Sequence, residues 1–126
     1  MFKRRKNRKA ASIASELIAQ KIKDPYIYYK DGPLCFRFEK ENKLSENQVM
    51  VFEEELKKAI FNEISNHFGT VFISTEDPLM SEVAVKANIH EFPEKFFPTE
   101  TIMTIDDKKI FVYEKGVKGG TLIKRK

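Results

Sequence analysis

The chain has 126 residues, of which 33% are charged and 41% hydrophobic, including 11 Phe and 4 Tyr. This length suits one domain, and the composition supports a modest apolar core rather than a long disordered stretch. The single cysteine, Cys35, excludes an internal disulfide and by itself supplies no metal framework. The longest apolar runs are only a few residues, so we expect no membrane-spanning helix.

The basic charge is segregated at the two ends of the chain. Residues 1–9 carry six basic side chains and residues 115–126 carry five, and neither segment contains an acid. The other 12 basic and 19 acidic residues give positions 10–114 a charge of −7. We therefore predict a basic N-terminal tail (1–9), one α+β domain (10–114) and a basic, glycine-containing C-terminal tail (115–126).

Basic tails of this kind attract polyanions, either nucleic acid or an acidic protein surface. The residues predicted to bind nucleic acid are Lys3, Arg4, Arg5, Lys6, Arg8, Lys9, Lys118, Lys124, Arg125 and Lys126. The first nine residues have the charge of a signal peptide's first region, but Glu16 soon follows and no apolar core is present. We expect a cytoplasmic protein, or one carried in a virion assembled there.

The first predicted element is a helix from about Arg8 to Lys23. Its apolar residues recur at three- and four-residue steps, and Asp24-Pro25 is expected to end it. The basic run lies at the amino end of this helix, where the macrodipole is already positive. That mismatch favours an external anionic partner.

A hairpin is predicted next, from Tyr26–Tyr29 and Leu34–Glu39, with Asp31-Gly32 in its turn. Tyr26, Tyr28 and Arg37 lie on its predicted outer face. There they form either a stacking surface for bases or part of the core with one extended arginine.

A long helix is predicted from about Glu46 to His67. Ser45 and Gln48 have the spacing of a capping box, and Gly69 suits a left-handed end. The apolar stripe consists of Val49, Phe52, Leu56, Ile60 and Ile64. On the outer face, Glu53, Glu54 and Glu55 form a predicted protein-binding surface.

After Gly69 the periodicity falls to two, which is typical of strands. Four strands are predicted, at Thr70–Thr75, Glu82–Phe92, Thr101–Ile105 and Lys109–Glu114. The Phe96-Phe97 pair is expected to pack onto the sheet. The predicted fold is a two-layer α+β domain with a mostly antiparallel sheet under one long helix plus an N-terminal helix, in the order α-β-β-α-β-β-β-β.

The residues give little sign of catalysis. His67 and His90 suit a helix end and a strand edge better than a metal or acid–base site. Asp77, Glu82 and Lys86 invite comparison with metal-dependent nucleases, but a strand would hold Glu82 and Lys86 roughly 13 Å apart. Asp106-Asp107 favours a turn. We expect no catalytic residue, no metal and no cofactor.

One short segment resembles a known family. Ile18–Pro25, which ends a basic-led helix, is similar to the opening of ribosome-binding factor A, a small KH-like protein. The match covers less than a fifth of the chain, and the strands predicted after the long helix depart from that family. The resemblance implies an RNA-associated role.

Three functions follow as hypotheses. The first is a non-enzymatic, nucleic-acid-associated accessory protein that uses basic ends on an acidic body. The alternative is a small inhibitor or adaptor, or a virion component, of a phage or other mobile element, with a protein partner docked at the acidic body. The third is a nuclease.

Overall fold

The computed structural model describes residues 2–23, 26–29, 36–39, 44–67, 69–90, 92–93, 96–97, 100–115 and 119–124. Three helices and six strands occur in these ranges. In chain order they are α1 (Phe2–Lys23), β1 (Tyr26–Tyr29), β2 (Phe36–Glu39), α2 (Glu46–Ser65), β3 (Val71–Ser74), α3 (Pro78–Lys86), β4 (Thr101–Ile105), β5 (Lys109–Glu114) and β6 (Thr121–Lys124).

The strands form two antiparallel sheets. One is the predicted β1–β2 hairpin, in which Tyr26 pairs with Glu39. The other has four strands in the order β3-β4-β5-β6. The mixed α+β fold with an antiparallel sheet is therefore confirmed. The predicted turn at Asp31-Gly32, the helix end at Asp24-Pro25 and Cys35 lie outside the described residues.

The core lies between the helices and one face of the larger sheet. α1 packs along α2, and their apolar stripes join the inward side chains of the sheet in one cluster. Full burial of a Leu, Ile or Phe side chain contributes about 1.5–3 kcal/mol, so this cluster is the main source of stability. Fully buried members include Ala14, Phe52, Leu56, Ile60 and Ile110.

The local signals of α2 are confirmed. The hydroxyl of Ser45 accepts a hydrogen bond from the backbone N–H of Gln48, whose side-chain oxygen accepts one from the N–H of Ser45. The helix ends at Ser65 with Asn66 as its C-cap, two residues before the predicted end at His67. Gly69 has the predicted left-handed conformation, with φ of +89°, but lies beyond this cap. Phe96 and Phe97 are both buried in the core cluster, where Phe92 meets the ring of Phe97 edge-on at 5.7 Å.

The start of α1 differs from the prediction. The helix begins at Phe2 instead of about Arg8, so most of the basic run lies in a helix rather than in a separate tail. Lysine and arginine are good helix formers, and Asn7 and Ala10 extend the buried side of α1 toward its amino end. Packing of Asn7 and Ala10 thus extends α1 toward its amino end, beyond the large aliphatic residues on which the predicted start at about Arg8 was based.

The predicted strand at Glu82–Phe92 is wrong, because residues 78–86 form α3. Asp77 occupies the N-cap position and Pro78 begins the helix, a combination that favours a helical start. Val83 and Ala87 are buried four residues apart, whereas Val85 is 75% exposed, so the alternation of valines was misleading. Asn88, with φ of +58°, follows the end of the helix.

The carboxyl end supplies a strand that the sequence did not predict. Thr121–Lys124 forms β6, which pairs with β5 in the antiparallel register Ile110–Ile123 and Phe111–Leu122. With α3 and β6 included, the element order is α-β-β-α-β-α-β-β-β.

Candidate nucleic-acid interface

Four exposed cations lie on the solvent side of α1. They are Arg5, Lys6, Arg8 and Lys9, here called the basic face. At 3.6 residues per turn these positions span an arc of roughly 160°. Asn7, Ala10, Ala11 and Ala14 fill the opposite, buried side. The helix therefore holds the four cations together and directs them away from the core.

An ion pair ties the other end of α1 to the sheet. Nζ of Lys21 lies 2.7 Å from Oε1 of Glu114, the last residue of β5. Both side chains are half-buried, so solvent screens this pair less than it screens the pairs on the surface of α2. This contact holds the carboxyl end of α1 against the sheet. The packing of α1 against α2 also positions the helix.

The larger sheet has one covered face and one open face. Inward positions such as Ile73, Met103 and Val112 are buried in the core. The opposite positions alternate with them and are exposed or half-buried. We call these the open sheet face, which comprises Phe72, Ser74, Ile102, Thr104, Lys109, Phe111, Tyr113, Leu122 and Lys124.

One row of the open sheet face crosses all four strands. Phe72 pairs with Thr104, Thr104 with Phe111, and Phe111 with Leu122. Phe72 is 67% exposed and Leu122 is 52% exposed. An antiparallel sheet with a solvated face usually carries polar residues on that face. This row is unusual because Thr104 is its only polar member, and we call it the apolar row.

Two aromatic rings stack at the centre of this face. The ring centroids of Phe111 and Tyr113 on β5 are 5.5 Å apart, with an interplanar angle of 30°. Gly120 leaves room for the Phe111 ring, since a β-carbon there would lie 2.7 Å from its Cζ. The absence of a side chain at Gly120 thus lets the ring lie close to the neighbouring backbone.

Two lysines lie together at one edge of the open sheet face. Lys109 and Lys124 are directly opposite each other in the β5–β6 register, and both are exposed. Like charges that face each other across a strand pair are destabilising. An anion bound between them would offset that repulsion.

The predicted basic residues are divided among separate elements. The backbone of Lys3 and Arg4 lies in α1. Lys124 lies on β6 and meets Lys109, which the sequence did not single out. Lys118, Arg125 and Lys126 lie outside the described residues.

The acidic residues predicted to bind a protein lie on α2. Glu54 is exposed, whereas Glu53 and Glu55 are half-buried. The two carboxylate oxygens of Glu55 each lie 3.7 Å from a lysine Nζ, one from Lys58 and one from Lys86 of α3. Glu55, Lys58 and Lys86 line an open groove of about 510 Å³ between α2 and α3. The lining of this groove contains both acids and lysines.

The residues considered for catalysis lie at the start of α3, along α3 and in the turn between β4 and β5. The carboxylate of Asp77 accepts a hydrogen bond of 2.9 Å from the N–H of Ser74. Because α3 is a helix, Glu82 and Lys86 are one turn apart rather than spaced along a strand, and both are exposed. Asp106 accepts hydrogen bonds from the N–H groups of Lys108 and Lys109, as its predicted turn requires.

The two histidines follow α2 and α3 along the chain. Nδ1 of His67 lies 2.8 Å from the backbone oxygen of Glu63, and His90 is exposed. Within the described ranges, no group of three or more His, Cys, Asp and Glu side chains is placed to hold a metal ion.

Comparisons of the chain with protein-family models, with curated proteins and with solved structures each gave no match. In the part of the chain that the structure describes, no helix has both the length and the apolar character needed to cross a membrane.

Proposed function

We propose that this protein is a non-enzymatic, nucleic-acid-associated accessory protein whose basic face contacts phosphates. The observation that carries the proposal is the common orientation of Arg5, Lys6, Arg8 and Lys9 on the exposed side of α1. The next charged residue along the chain is Glu16, so the amino-terminal half of α1 contains no acid.

The amino end of α1 adds a smaller contribution. Because the helix begins at Phe2, Arg5 lies in its first turn, where a cation is unfavourable by about 0.3–1 kcal/mol since the macrodipole there is also positive. A phosphate bound beside Arg5 would make this local interaction favourable. Lys6, Arg8 and Lys9 lie beyond the first turn, so they attract phosphate through their own charge alone.

The acidic body gives the protein an orientation relative to such a polyanion. Residues 10–114 carry a charge of −7, so phosphates are repelled from most of the body and attracted to the basic face and to the Lys109–Lys124 pair. This separation of charge favours binding through a defined surface rather than through the whole protein. It also leaves the acidic body free to bind a protein partner while the basic face contacts nucleic acid.

The experiment compares two variants of equal charge. Arg8→Gln/Lys9→Gln removes two charges from the basic face, and Lys57→Gln/Lys58→Gln removes two charges from α2. Affinities of the wild type and both variants are measured by fluorescence anisotropy at low salt, with single-stranded RNA, duplex RNA and duplex DNA. We expect the α1 variant to bind all three more weakly and the α2 variant to bind like the wild type.

Two results would overturn the proposal. The first is that the wild type binds none of the three nucleic acids at low salt. The second is that both variants lose affinity equally, which would mean that only the net charge matters and that α1 has no special role.

A protein-binding inhibitor or adaptor is the second candidate. Glu54 offers an exposed acid on α2, but the pairs of Glu55 with Lys58 and Lys86 lower the local negative charge. We therefore rank docking of a basic partner protein at this surface below nucleic-acid binding. Retention of a stoichiometric protein partner after nuclease treatment, and its loss in Glu54→Gln, would reverse the ranking.

A further inference from the structure

We infer that the open sheet face binds unpaired bases of a single-stranded nucleic acid by stacking, with Lys109 and Lys124 contacting its phosphates. This inference rests on the proposed function and adds to it the class of nucleic acid that is preferred. Its basis is the combination of one exposed ring, Phe72, two half-buried rings, Phe111 and Tyr113, and two exposed lysines on one side of the four-stranded sheet.

The first step concerns the apolar side chains. Phe72 and Leu122 are more than half exposed, and they lie in one row with Phe111 across the sheet. Contiguous apolar patches on a protein surface usually mark a binding site. The helical layer covers the other face of the sheet, so this row is open to an external ligand.

The second step concerns the rings. Phe111 and Tyr113 are neighbours on β5, and Phe72 lies two strands away in the same row as Phe111. Aromatic side chains on a four-stranded sheet stack two or three bases in a common class of RNA-binding module. Every base has a π-face, so stacking of this kind tolerates many sequences.

The third step concerns charge and selects the occupant. Lys109 and Lys124 border the apolar row and face each other across β5 and β6. A second copy docked through the same face would leave these two charges unmatched, because the open sheet face contains no acid. An apolar protein surface would leave them unmatched as well. A nucleotide strand is aromatic and anionic at once, so it matches both the rings and the lysines.

The preference for a single strand follows from the shape of the site. In a duplex the base faces are stacked on one another and are not available to protein rings. The basic face of α1 contacts phosphates of either form, whereas the open sheet face contacts bases only where they are unpaired. The two surfaces therefore make separable contributions to binding.

The test uses substitutions that remove rings without removing charge. Phe72→Ala removes an exposed ring, and Phe111→Leu keeps apolar volume while removing a π-face. Val85→Ala, which shortens an exposed apolar side chain on α3, is the control. Thermal melts establish that all three variants fold.

Binding is measured by anisotropy at one salt concentration, with oligouridine of roughly 12 nucleotides and an RNA duplex of similar length. We expect each ring substitution to weaken oligouridine binding by roughly 5- to 100-fold. Duplex affinity should change less than about twofold, and Val85→Ala should match the wild type on both probes.

The outcomes separate this inference from the proposed function. If the wild type binds neither probe, the proposed function fails and this inference fails with it. If Arg8→Gln/Lys9→Gln weakens both probes while the ring variants bind like the wild type, only this inference fails. An equal loss on both probes, or a wild-type dimer that Phe72→Ala dissociates in sedimentation, would also overturn it.

Discussion

The ring of Phe111 lies against Gly120, at a distance that leaves no room for a side chain on the glycine. A β-carbon at position 120 would lie 2.7 Å from Cζ of Phe111 and 2.8 Å from the carbonyl oxygen of Val112. Both distances are far shorter than a normal van der Waals contact. The conformation of the central ring of the open sheet face therefore depends on a glycine in the segment before β6.

Gly120→Ala is expected to lower the free energy of unfolding by about 1–3 kcal/mol, as overpacking does elsewhere. Part of this cost arises from displacement of the ring, so the substitution should be less harmful in a Phe111→Ala background. Urea denaturation of the four proteins of this double-mutant cycle measures the coupling. Additive effects, within about 0.5 kcal/mol, would show that the ring does not depend on Gly120.

The second prediction concerns the core between the helices and the sheet. Leu56→Ala should destabilise the protein by about 2–5 kcal/mol, because Leu56 is fully buried in the central cluster. Met50 on the same helix is 59% exposed, so Met50→Ala should change the free energy of unfolding by less than about 0.5 kcal/mol. Similar effects in the two variants would contradict the packing of α2 described here.

The third prediction concerns two buried threonines that meet at the start of β4. Oγ1 of Thr75 accepts a hydrogen bond of 3.1 Å from the N–H of Thr101. Oγ1 of Thr101 is buried without a hydrogen-bond partner among the described residues. A buried hydroxyl without a hydrogen-bond partner lowers the stability of the folded protein. Loss of the Thr75 hydroxyl would likewise leave the buried N–H of Thr101 without an acceptor.

Thr101→Val should therefore leave stability unchanged or raise it by about 1 kcal/mol, whereas Thr75→Val should lower it by about 1–3 kcal/mol. The two substitutions are chemically identical and both sites are buried, so each controls for the other. Chemical denaturation measures both. The reverse order of stability would contradict the assigned hydrogen bond.

The fourth prediction concerns the Lys21–Glu114 ion pair. A double-mutant cycle of Lys21→Met and Glu114→Gln should give a coupling energy of about 0.5–1 kcal/mol, because both side chains are only partly exposed. The coupling should fall as salt is added. The same cycle for Lys58 and Glu55, which are 3.7 Å apart and of which Lys58 is exposed, should give a smaller value. Equal couplings would show that the pair between α1 and β5 is no stronger than this pair on the surface of α2.

The sequence predicted the elements whose signals are local. The capping box at Ser45 and Gln48 and the apolar stripe of α2 depend only on neighbouring residues, and both are confirmed. The strands at β3, β4 and β5 were found from their alternation for the same reason. These patterns need no knowledge of what the element packs against.

α3 was missed because two periodicities coexist in its sequence. The alternation of Val83 and Val85 predicts a strand, whereas Asp77 and Pro78 are residue types that favour the start of a helix. The start of α1 was misplaced because its amino-terminal half is packed through Asn7 and small alanines instead of large aliphatic residues. In both cases tertiary packing decided between local alternatives.

The candidate site was predicted in part. Charge segregation identified the cations of the basic face, but not that a helix groups them on one side. The open sheet face was not predicted, because β5 is apolar at Ile110 and Val112 and also at Phe111 and Tyr113. Alternation cannot indicate which of two apolar faces the helices cover, and the pairing of β6 depends on contacts remote in sequence.

The most direct test of nucleic-acid binding through α1 is the salt dependence of the affinity for single-stranded RNA. Each phosphate contact contributes a slope of about −0.7 to a plot of log K against log salt concentration, so loss of two contacts makes the slope shallower by about 1.4. We expect that change for Arg8→Gln/Lys9→Gln and none for Lys57→Gln/Lys58→Gln. A wild-type affinity independent of salt, or an α1 variant with the wild-type slope, would contradict the proposed function.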